Sequence, residues 1–179
     1  MSRTRIVTLC TGNAARSVML GYMLTTLAEA NGVDWGVRTA GTHAVEGQAM
    51  SPRTLEALEK LEELGEHHFR AHRSHQLTND DVAWADVIVA VEADHVNYVR
   101  RVHPDAHAKT VQLRSFCLLA PLDGGLLVQV ADVAASDPEP GLDVNDPAGG
   151  DQAQYDACAV ELWDLAQVFA ALTCDTVDL

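Results

Sequence analysis

Along much of the chain, short unbroken apolar runs alternate with longer stretches whose apolar positions recur every three or four residues. The runs Thr4–Leu9, Trp35–Thr42, Val87–Val91 and Lys109–Leu113 each predict a strand. Val87–Val91 is apolar throughout, as a parallel strand covered on both faces requires. The periodic stretches predict helices. The first runs from about Arg16 to Ala30, with Met19, Met23 and Leu27 on one stripe, and stops at Asn31–Gly32. Ser51 and Pro52 open a second as cap and first residue. Leu55, Leu58, Leu61 and Leu64 form its apolar face, and Gly65 ends it. Glu56, Glu59, Glu62 and Glu63 form its solvated face. Thr78–Asn79–Asp80–Asp81 is a capping signature for a short helix through Trp84, and Asp94–Arg101 forms another that ends before Pro104. The last helix spans Gln152–Leu172, with Tyr155, Cys158, Leu162, Leu165 and Phe169 facing the core.

Strands that alternate with helices predict an α/β fold. It is expected to be a three-layer sandwich with a central four-stranded parallel sheet, right-handed crossovers and helices on both faces. Residues 1–179 read as one domain without repeats or linkers. Arg114–Asn145 carries no clear pattern and is long for a loop, with Leu126–Val130 a candidate extra strand.

In such a sheet ligands bind beyond the carboxyl ends of the strands. There strand one runs into Cys10–Thr11–Gly12–Asn13–Ala14–Ala15–Arg16–Ser17, a thiol and a guanidinium on a loop that closes into a helix. Successive backbone N–H groups at a helix N-terminus suit a doubly charged oxyanion, and Arg16 can grip two of its oxygens with a planar fork. Cys10 sits where the same positive field stabilises a thiolate nucleophile. Thr11, Gly12, Asn13, Ala14, Ala15 and Arg16 thus form a candidate phosphate cradle, with Gly12–Asn13 tolerant of left-handed backbone. Ser17 can donate to the thiolate and help it leave.

These residues resemble the phosphate loop of the low-molecular-weight protein tyrosine phosphatases, a superfamily that includes protein-arginine phosphatases and one class of arsenate reductases. The likeness continues at Thr39–Ala40–Gly41–Thr42, Ser51–Pro52–Arg53, His72–Arg73, Gln76–Leu77–Thr78 and Trp84–Ala85–Asp86, and ends at Asp146–Pro147. It implies a phosphocysteine intermediate on Cys10 and a general acid on Asp146, with Asn13, Thr39 and His72 supporting the loop. Asp137 and Asp143 are the competing carboxylates, and Asp137–Pro138 is a second Asp–Pro pair. Three departures stand out. Ala15 replaces a cysteine that often precedes the arginine, and Ala148–Gly149–Gly150 and His43–Ala44–Val45–Glu46 stand where the family's phosphotyrosine enzymes place aromatic walls. Ala14 also replaces the threonine of the arginine phosphatases.

Charge narrows the partners. The chain has 26 acidic and 12 basic residues, a net charge of −14. Such a field opposes nucleic acid and anionic membrane, so neither partner is expected. A phosphorylated protein or small phosphate ester is the expected substrate, with phosphate, sulfate or arsenate as the loop's anion. No apolar segment of export or membrane-span length stands out, which suggests a cytoplasmic protein with reduced thiols. No cofactor is implied. His67, His68, His72 and His75 invite a zinc reading, but no ligand pattern completes it and no metal is expected. An arsenate reductase using an external small thiol and a phosphate-binding module without turnover are the competing functions.

Overall fold

A computed structural model describes residues 3–173. Four parallel strands, β1 (Thr4–Cys10), β2 (Trp35–Gly41), β3 (Val87–Ala90) and β4 (Thr110–Gln112), stand in the order β2-β1-β3-β4. Cys10 is level with Gly41, and Leu9 with Ala90, so the carboxyl ends of three strands meet at one edge. The α/β sandwich and its four parallel strands are as the sequence predicts.

The pleat sorts the core. Ile6, Cys10, Val87 and Val89 face one apolar cluster, and Val7, Leu9, Ile88 and Ala90 face the other. The first cluster is covered by α1 (Arg16–Asn31), α2 (Pro52–Lys60) and, later in the chain, α7 (Gln152–Thr173). The second is covered by α3 (Asn79–Trp84) and α4 (Ala93–Val102). Thr78 and Asp81 close the expected capping box at the start of α3.

Two expectations are corrected. The segment 114–145 is mostly helical, with α5 (Leu113–Leu119) and α6 (Gly125–Ala134), and Leu126–Val130 lies inside α6 rather than in a strand. Leu126, Val130 and Val133 share its buried stripe, and buried Gln129 donates to the Pro121 and Leu172 carbonyls. Those spacings are helical, but a stretch so rich in Leu and Val hides them at short range. The second helix stops at Lys60 instead of Gly65; Leu61 is extended and Glu62–Leu64 form a separate 3-10 turn. Leucines spaced by three drift around a helix turning 3.6 residues per turn, so no straight helix buries all four. The break lets Leu58 and Leu64 both bury while Leu55 and Leu61 stay half-exposed. Leu165 is also half-buried, and Cys174 lies outside the described residues.

Candidate active site

The loop between β1 and α1 turns on Asn13, whose φ of 51° is left-handed, a region asparagine tolerates better than most residues. Its side chain is fully buried and fully used. Nδ2 donates to Ser17 Oγ and to Thr39 Oγ1, each at 2.9 Å, and Oδ1 accepts from the His75 amide at 2.9 Å. Its carbonyl accepts from His72 Nε2 and Ser74 Oγ, each at 2.8 Å. A carbonyl only accepts, so His72 carries its proton on Nε2. Burial pushes its pKa below the ordinary histidine value.

Cys10 is buried at the floor. Its Sγ accepts from the Asn13 amide at 3.3 Å and lies 3.0 Å from Ser17 Oγ. Since Ser17 Oγ already accepts from Asn13, its own hydrogen is free to point at the sulfur. Gly41 lets β2 close against this loop: a Cβ there would sit 2.5 Å from the Thr11 carbonyl oxygen.

Arg16 is only 2% exposed at the start of α1. Its Nη1 pairs with Glu92 and donates to the Val144 carbonyl at 2.8 Å, while Nη2 lies 3.1 Å from Asp146 Oδ2. Glu92 caps the carboxyl end of β3, so the guanidinium joins the edge of the sheet to the loop 143–148. Of the three candidate carboxylates, only Asp146 reaches this place. Asp137 is almost fully exposed beside Arg100, and Asp143 Oδ1 accepts from the Ala93 amide and Gln112 Nε2 at 2.6 and 2.7 Å. Asp143 thereby anchors the loop that carries Asp146.

Cys10, Arg16 and Asp146 share one cleft of about 110 Å³, bordered also by Thr11, Ala14, Ser51, Ala148 and Tyr155. His43 turns aside and packs edge-on against Tyr98. Three of the four histidines weighed for zinc have separate duties. His67 bonds Thr26 Oγ1, His72 holds Asn13, and His75 sits between Glu46 and Asp81. Burial pushes the Cys117 and Cys158 thiols up to about 12, away from the thiolate form.

Residues 5–122 match the profile of the low molecular weight phosphotyrosine protein phosphatases. The chain belongs to this family. A protein-arginine-phosphatase of Geobacillus stearothermophilus is 32% identical over 158 residues, covering 88% of each chain. The crystal structure of a low molecular weight protein tyrosine phosphatase from T. tengcongensis superposes with a TM-score of 0.72 at 26% identity, covering 93% of this chain and 97% of that one. An arginine phosphatase mutant with a phosphorylated active-site serine gives 0.73 at 25% identity, covering 93% of both. The protein is therefore a hydrolase of the protein-phosphatase class. The profile match ends before Asp146 and Tyr155, which tertiary contact alone brings to the phosphate loop. Glu92, His95 and the Val144 carbonyl escaped the sequence reading, and Tyr155, read there as a core residue, also borders the cleft. For Glu92 a signal existed: a carboxylate directly after a fully apolar strand lies at the ligand edge of the sheet.

Proposed function

We propose that the protein hydrolyses phosphorylated side chains through a phosphocysteine on Cys10. The Cys10 thiolate attacks phosphorus as the bond to the leaving oxygen or nitrogen breaks. Loop amides and Arg16 hold the equatorial oxygens, and Asp146 gives its proton to the leaving atom. Water then attacks the phosphocysteine and passes a proton to Asp146. The S–P bond breaks, phosphate departs, and Ser17 stabilises the returning thiolate. The observation that carries this reading is the 3.1 Å contact of Asp146 with Arg16 above a cleft floored by Cys10. The related mutant with a phosphorylated active-site serine supports a covalent intermediate at the equivalent place.

Phosphoarginine in proteins is a second reading, favoured by the arginine-phosphatase relative and by the scarcity of aromatic walls around the cleft. Steady-state hydrolysis of a small aryl phosphate, a phosphotyrosine peptide and a phosphoarginine peptide tests both. Cys10→Ser is expected to abolish turnover, and Asp146→Asn to lower kcat roughly 10²- to 10³-fold. Undiminished kcat in Asp146→Asn would move the acid elsewhere, and turnover by Cys10→Ser would end the covalent reading.

A further inference from the structure

His95 lies in the first turn of α4, 2% exposed, and no step of the proposed chemistry uses it. Its Nε2 is 2.9 Å from Thr11 Oγ1 and 3.4 Å from Glu92 Oε2, the carboxylate whose other oxygen pairs with Arg16. Its Nδ1 is buried without a partner. Burial, with Arg16 nearby, pulls the pKa down to about 4, so the ring is neutral at physiological pH. A neutral imidazole carries one proton, and the surroundings choose where. On Nδ1 it would be a buried donor with no acceptor, while Nε2 would turn a lone pair toward a carboxylate. On Nε2 it meets the Thr11 hydroxyl oxygen, with Glu92 behind. The proton therefore sits on Nε2, and Thr11 Oγ1 accepts.

That leaves Thr11 one hydrogen to give. Thr11 is exposed and borders the same cleft as Cys10 and Arg16. A hydroxyl that accepts from a fixed N–H is both oriented and a stronger donor. We propose that His95 is a positioning residue for the anion site: by donating to Thr11 Oγ1 it fixes the threonine hydroxyl as a side-chain donor to a bound phosphoryl oxygen, beside the loop's backbone amides. α4 and the residue that precedes it would then hold both ends of the phosphate loop, Thr11 through His95 and Arg16 through Glu92. This inference rests on the phosphate-site reading but not on turnover.

The test is calorimetric titration of the intact protein with inorganic phosphate. Thr11→Val and His95→Leu are each expected to weaken binding about 5- to 20-fold, the range of one hydrogen bond to a charged group. The double variant should bind within about two-fold of Thr11→Val, because His95 acts through Thr11. His95→Gln, whose amide N–H can reach the Nε2 position, should recover most of the affinity. A merely structural histidine would lower the melting temperature in both His95 variants without this split. Additive losses in the double variant, or wild-type affinity in Thr11→Val, would overturn the proposal. Should His95→Leu fail to fold, His95→Asn, whose shorter amide cannot reach Thr11 Oγ1, takes its place beside His95→Gln, and wild-type affinity in His95→Asn would overturn the proposal. Wild-type protein that binds phosphate in this pattern yet hydrolyses nothing would support the inference and reject the phosphatase reading.

Discussion

At the residue scale, Asn13 holds a left-handed backbone and supplies or accepts hydrogen bonds to Ser17, Thr39, His72, Ser74 and the His75 amide. Replacing it with alanine leaves buried partners unmatched and puts a side chain that disfavours this conformation at φ 51°. Asn13→Ala is expected to cost about 2–4 kcal/mol in urea denaturation. His95 makes a separate prediction. Its folded pKa, about 4, lies below the unfolded value of 6.5. Above 6.5 both states are neutral there and its contribution is fully present. As pH falls toward 4 the unfolded chain takes up the proton first, so stability drops. The loss attributable to this ring is on the order of 3 kcal/mol. Denaturation midpoints between those pH values should fall less steeply in His95→Gln than in the wild type. His72, shifted the same way by burial, contributes in the same sense.

The elements meet at the carboxyl edge of the sheet, and their fit depends on how closely β2 approaches the phosphate loop. The Thr42 and His43 amides donate to the Cys10 and Thr11 carbonyls, each at 2.9 Å, as β2 leaves the sheet. Gly41 makes that approach possible, since a Cβ there would meet backbone rather than a movable side-chain tip. Gly41→Ala should therefore push the two segments apart. Expected are a stability loss of at least about 2 kcal/mol and weakened phosphate affinity, read by denaturation and by phosphate titration. On the far side of the site, Gln112 on β4 reaches Asp143 and the Glu139 carbonyl. The strand thereby sets the height of the segment that presents Asp146.

At the scale of the whole molecule, the net charge of −14 surrounds the proposed phosphate site. The local cradle must overcome a long-range repulsion that salt screens over about 10 Å at 0.1 M. Raising ionic strength from about 10 to 150 mM should increase kcat/KM for a dianionic aryl phosphate by roughly two- to five-fold. A peptide with basic residues flanking the phosphorylated position should lose rate over the same range. Equal responses from both substrates would show that the global field does not reach the cleft. Among the described residues no helix is long and apolar enough to cross a membrane.

Much of this architecture is local and therefore legible in the sequence. The four strands, the cap at Ser51, the capping box at Thr78 and the run from Cys10 to Ser17 depend on neighbours within a few positions. Asp137, Asp143 and Asp146 were legible as a shortlist on which the family resemblance favours Asp146, and what the fold adds is its contact with Arg16. Helix α6 was hidden because its Leu- and Val-rich stretch reads equally as strand until packing against the rest of the chain selects a face. His95 was invisible for a different reason. Its proton, its burial and its partner Thr11 are set by segments 84 positions apart, and no local pattern encodes a contact of that range. Sequence by itself determined the residue run of the loop and the alternation of strands and helices, since both follow from short-range geometry. Tertiary structure alone decided which distant side chains close over Cys10, because their convergence depends on crossovers and register rather than on spacing.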